Sequence, residues 1–124
     1  MSRSILDEAH IHPSIREAIA SNHADIVREV KDAIARNDIV IVGMAQNPFP
    51  KKASKLLDRQ QIGYKYLEYG SYFSAWHRRN ALKMWTGWPT FPMVFVKGVL
   101  VGGATDLQKL VQSGEISTLL SAKA

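Results

Sequence analysis

The chain has 124 residues, no cysteine, 46% apolar and 22% charged residues, and a formal net charge of +5. That is the length and composition of one globular domain with a packable core. It excludes disulfides, thiolate metal ligands and a cysteine nucleophile, and no apolar run is long enough to cross a bilayer.

The first eight residues, Met1-Ser2-Arg3-Ser4-Ile5-Leu6-Asp7-Glu8, lack the apolar stretch of a signal peptide and turn acidic early, so a cytoplasmic location is expected. Basic residues are spread along the chain, with Lys51-Lys52 and Arg78-Arg79 as adjacent pairs. They read as a solvated surface, and nucleic acid is not expected as a partner. Pro13 starts a helix over 13–21 with Ile15, Ala18 and Ile19 on one face. After Asn22-His23, a second helix runs over 24–36, its apolar face made by Ile26, Val27, Val30, Ala33 and Ile34. The β-branched run 39–42 is a strand buried on both faces. A turn, Gln46-Asn47-Pro48-Phe49-Pro50, leads into a helix to about residue 61 with Phe49, Ala53, Leu56 and Leu57 inward. Gly63 stops it. A strand over 64–69 and a helix over 74–85 follow. Trp88-Pro89-Thr90-Phe91-Pro92 precedes two short strands, 93–96 and 99–101, joined at Lys97-Gly98. Gly102-Gly103 opens a helix over 105–113, with a short helix after Gly114.

The order α-α-β-α-β-α-β-β-α predicts an α/β fold with a four-stranded mixed sheet flanked by helices. The first two strands should be parallel and the last two an antiparallel hairpin. His10 and His12 lack a third clustered ligand, and no metal site is expected. His77 beside Arg78 and Arg79 reads as a surface residue. Trp76, Trp85, Trp88, Tyr69, Tyr72 and Phe73 are crowded in sequence; some must be core and the rest are candidates for a partner surface.

Three motifs align: the strand–turn–helix at Asn47-Pro48-Phe49-Pro50, the stretch Trp88-Pro89-Thr90-Phe91-Pro92, and Val101-Gly102-Gly103-Ala104-Thr105-Asp106-Leu107. Together they resemble the glutaredoxin family, a branch of the thioredoxin fold, and from Trp88 to Asp106 the monothiol glutaredoxins most. The resemblance covers residues 24 to 120. It divides the chain into an N-terminal helical extension, 1–23, and a glutaredoxin-like domain, 24–124. In the family's Cys-Pro-Phe-Cys turn the cysteines would fall at Asn47 and Pro50. Asn47 cannot form a thiolate, but Asn is a good N-cap and Pro48 suits the first helical position, so the turn remains a helix start with a degenerate active site.

The resemblance also implies a glutathione site. Thr90, Phe91 and Pro92 would form the cis-proline segment, with Phe91 pairing through its backbone. Gly103, Ala104, Thr105 and Asp106 would receive the γ-glutamyl end, its carboxylate at the helix start and its amine at Asp106. Arg79 would reach the glycyl carboxylate. Each has a plain structural reading beside it. Pro92 serves fold geometry alone, Asp106 offsets the helix dipole, and Arg79 is a solvated cation on an exposed helix face. The family's lysine before the turn is replaced by the stretch Gly43-Met44-Ala45-Gln46, the turn is shorter than the usual monothiol loop, and Lys51 or Lys52 is the candidate for the missing charge.

The first functional expectation is a non-catalytic module that binds glutathione or a protein partner in thiol-redox or iron–sulfur homeostasis. A cluster held by this chain alone is not expected, because the cysteine ligand is missing. The alternative is a glutathione-dependent oxidoreductase or transferase that borrows the thiol of bound glutathione. A third is a scaffold that uses the aromatic and basic surface, including the added helix.

Overall fold

The structure, a computed structural model, describes residues 3–44, 48–70 and 76–121. A short 3-10 turn, Glu8–His10, precedes helix α1, Pro13–Ser21, where Ser14 N–H donates to His12 Nδ1 at 3.1 Å. Helix α2 spans Ala24–Arg36 and strand β1 spans Ile39–Gly43. Helix α3, Pro48–Arg59, strand β2, Lys65–Glu68, and helix α4, Trp76–Thr86, follow. Strands β3, Met93–Val96, and β4, Val99–Gly102, lead to helices α5, Ala104–Ser113, and α6, Glu115–Ser121.

The sheet order is β2-β1-β3-β4, with β1 parallel to β2 and antiparallel to β3, and β4 antiparallel to β3. This is the four-stranded mixed sheet expected from the pattern. Every residue of β1 is buried. Alternation along a strand sends neighbours to opposite faces. Val40 and Val42 join Ile26, Val30, Ala81 and Leu82 under α2 and α4. Ile39 and Ile41 join Ala53, Leu57, Leu107 and Ile116 under α3, α5 and α6.

Gly43 marks a close approach. A Cβ there would lie 2.7 Å from Pro50 Cγ, so a bare backbone at the end of β1 lets the third residue of α3 sit directly against it. One expectation about packing is corrected. Phe49 does not point inward; at 48% exposure it stands at the surface. The reason is the helix's facing: Pro50, the next residue, takes the buried place against Gly43, which leaves Phe49 on the exposed side of the first turn. In α1 the apolar residues Ile15, Ala18 and Ile19 are all exposed, and no residue of that helix is buried. Tyr72 and Phe73 lie outside the described residues, as do Asn47 and the side chains of Pro48 and Trp76.

Two tyrosines on the β2 side are held protonated. Burial first, then the Glu68 charge and hydrogen bond, push Tyr66 up from 10 to about 12. Burial and the bond to Glu29 raise Tyr69 in the same direction. A phenol whose pKa is higher folded than unfolded contributes stability below pH 10 that is lost as pH rises through the folded value. Urea midpoints should therefore fall between about pH 10 and 12, and less steeply for a Tyr66→Phe variant.

Candidate functional site

Arg79 anchors the site from α4. It is 6% exposed, so the exposed helix face expected for it is not where it lies. Its Nη1 donates to the Tyr69 carbonyl at 3.1 Å. Tyr69 in turn donates its backbone N–H to the Gly43 carbonyl at 2.9 Å and its hydroxyl to Glu29 Oε1 at 2.7 Å. Next door, Arg78 pairs with Asp25 at 3.0 Å and lies over the Tyr69 ring. The start of α4 is thus tied through Tyr69 to the end of β1 and to α2, which explains why one arginine of the pair is buried and the other is not. Burial pushes the Arg79 guanidinium below the usual arginine pKa. A cation in this setting interacts with an anion more strongly than one in open water.

At the other end of α4, Thr86 fixes the entry to the proline segment. Its hydroxyl donates to the Leu82 carbonyl at 2.8 Å and accepts from Trp88 N–H at 3.1 Å. The Phe91–Pro92 peptide is cis. Phe91 and Pro92 are buried, while Thr90 is exposed.

The third part is the start of α5. Gly103 N–H donates to Asp106 Oδ2 at 2.9 Å, so the residue at the third helical position caps the backbone before the first. Gly103 has no side chain to return the bond, and only this half of a capping box exists. Gly102 has φ +117°, and a Cβ there would overlap the Asp106 carboxylate. A glycine is required by both the backbone and the space.

These parts meet. Arg79, Thr90, Phe91, Pro92, Gly103, Ala104, Thr105 and Asp106 all line one groove of about 550 Å³, together with Met44, Phe49, Lys83, Trp88 and Pro89. That volume lies within the usual range for small-ligand sites. Neither Lys51 nor Lys52 lines it; the nearby cation is Lys83, its Nζ 5.8 Å from the Phe91 ring centroid. Sequence reasoning missed Lys83. The available signal was its spacing, one helical turn after Arg79, which puts both cations on the same face of α4. Trp88 lines the groove with its Nε1–H lacking an acceptor among the described residues.

The groove offers what a zwitterionic peptide with two carboxylates needs: two cations, a helix start with unpaired backbone N–H groups, and one carboxylate. It offers no thiol, since the chain has none. Among the described residues no three His, Asp or Glu side chains gather as a metal-ligand set, and no helix is long and apolar enough to cross a membrane.

A family model for glutaredoxin matches residues 39–101. A glutaredoxin-like protein of Dictyostelium discoideum is 46% identical over 110 residues, covering 89% of both chains. Among solved structures, oxidized glutaredoxin 2 from Chlamydomonas reinhardtii superposes with TM-score 0.68 at 26% identity, covering 80% of this chain and 94% of that one. A buckwheat glutaredoxin–glutathione complex superposes with TM-score 0.70 at 20% identity, covering 82% and 92%, and shares the fold.

Proposed function

Because the chain belongs to the glutaredoxin family yet has no cysteine, we propose that it is a non-catalytic member that holds glutathione, or a protein partner, in the groove without exchanging thiols. One observation carries this reading. The residues around the degenerate turn still converge on a single charged groove, although the chemistry that would occupy its centre is absent. Arg79 and Lys83 would hold the glycyl carboxylate, the α5 start would take the γ-glutamyl carboxylate, and the open side of Asp106 would take the amine. Bound glutathione would bring the one thiol present. Among the described residues that line the groove none is a poised base for it, which favours holding over turnover. An iron–sulfur cluster does not fit this chain's own residues, because no cysteine is available to ligate iron. We propose further that the chain serves thiol-redox or iron–sulfur homeostasis, in the cytoplasm.

Calorimetric titration with reduced glutathione, alongside amide NMR shifts, tests it. Saturable binding at or below about millimolar concentration, with shifts at Phe91, Thr105 and Asp106, is the expected result. No binding there would overturn the glutathione reading. Arg79→Ala should weaken binding about tenfold or more and Lys83→Ala about three- to tenfold, as losses of charge-assisted contacts. If Lys83→Ala binds as the parent does, that lysine is not part of the site.

A further inference from the structure

A second depression lies beside the groove, between α3 and α5, with a volume of about 330 Å³. The two share Phe49, Ala104 and Thr105 as a common border, so a chain leaving the first would pass directly into the second. Lys52, Lys55 and Arg59 line the second depression from α3, and no acidic residue lines it. All three are exposed, and among the described residues none takes part in an ion pair. Their i, i+3, i+7 spacing keeps them on one helix face over about 10 Å. Lys52 Nζ lies 5.2 Å from the Phe49 ring centroid, which joins the cationic row to an exposed aromatic side chain.

From this charge pattern we infer that the α3–α5 depression is a docking surface for an acidic, extended segment of a partner protein, running on from the main groove. The row matches about three residues of extended chain, so two or three carboxylates can each meet a cation. The apolar border at Phe49 and Ala104 suits an apolar side chain between them. Nucleic acid fits less well, because a stable backbone track engages more phosphates than three adjacent cations can reach. The inference goes beyond the glutathione reading and does not depend on it.

The test uses a fluorescein-labelled octapeptide of alternating glutamate and leucine, with a lysine–leucine octapeptide and a single-stranded oligothymidylate as controls. The acidic peptide should bind in a salt-dependent way, more weakly at about 200 mM than at about 20 mM salt. The Lys52→Ala/Lys55→Ala/Arg59→Ala variant should lose about tenfold or more in affinity. Lys52→Gln/Arg59→Gln, which keeps much of the side-chain stems, should lose about threefold or more and guards against a folding defect in the triple variant. Parent-like affinity in both variants, equal binding of the two peptides, or tighter binding of the oligonucleotide would each overturn the inference. Glutathione titrated into the triple variant separates the two readings. Peptide binding without glutathione binding in the parent overturns only the glutathione site. Glutathione binding without peptide binding overturns only the docking surface.

Discussion

An Asn47→Cys variant should gain glutathione-dependent disulfide reduction that the parent lacks, at least about tenfold above background. Pro48 is the first residue of α3, so position 47 immediately precedes a helix whose leading N–H groups have no partners within it. A thiol there ionises more readily than a free one, and the thiolate is the reacting species. Everything else the reaction needs would come from the groove that already borders Phe49. The measurement is reduction of a small glutathione mixed disulfide, coupled to reductase and compared with the parent and with Asn47→Ser. A variant no faster than Asn47→Ser would mean that the turn no longer presents its first residue to the groove. The non-catalytic reading would then rest on more than one missing atom. A parent that already turns over well above background would favour the alternative, an enzyme borrowing the thiol of bound glutathione.

Gly102→Ala should destabilise the fold by about 2–4 kcal/mol and abolish glutathione binding together. The backbone at Gly102 has φ +117°, a region that residues with a Cβ rarely adopt. The added methyl would also meet the Asp106 carboxylate, which must leave its bond to Gly103 N–H. Loss of such a cap costs about 1 kcal/mol by itself. The two contributions separate in a double-mutant cycle. Asp106→Ala alone loses the cap, whereas Gly102→Ala/Asp106→Ala has no carboxylate left to displace. The double variant should therefore cost less than the sum of the single ones in urea unfolding. Additive costs would mean that the strain lies wholly in the backbone.

Much of the fold was legible because its signals are local. The β-branched run at Ile39–Val42, the hairpin turn at Lys97-Gly98 and the Gly102-Gly103 opening of a helix each specify their element within a few residues. Boundaries shifted modestly: α3 ends at Arg59, and β2 spans Lys65–Glu68. What remained hidden was which face a residue takes where elements end. Phe49 fits the apolar period of α3, yet Pro50 takes the buried place at the start of that helix and Phe49 stays exposed. Arg79 and Arg78 look alike in sequence, and it takes the fold to show that one is buried against the Tyr69 carbonyl. Lys83 carries a local signal, its one-turn spacing from Arg79, but that this face of α4 borders a groove depends on where the 88–92 segment returns past the helix, which is a long-range outcome.

The contact between Gly43 and Pro50 bears on the chain's history. Family resemblance puts a second cysteine where Pro50 stands, and the pyrrolidine ring now packs where any Cβ at Gly43 would have to go. Regaining one thiol at position 47 disturbs nothing in that contact. Regaining the second would remove the ring and its packing on Gly43, so a return to a dithiol gives up a contact that a return to a monothiol keeps.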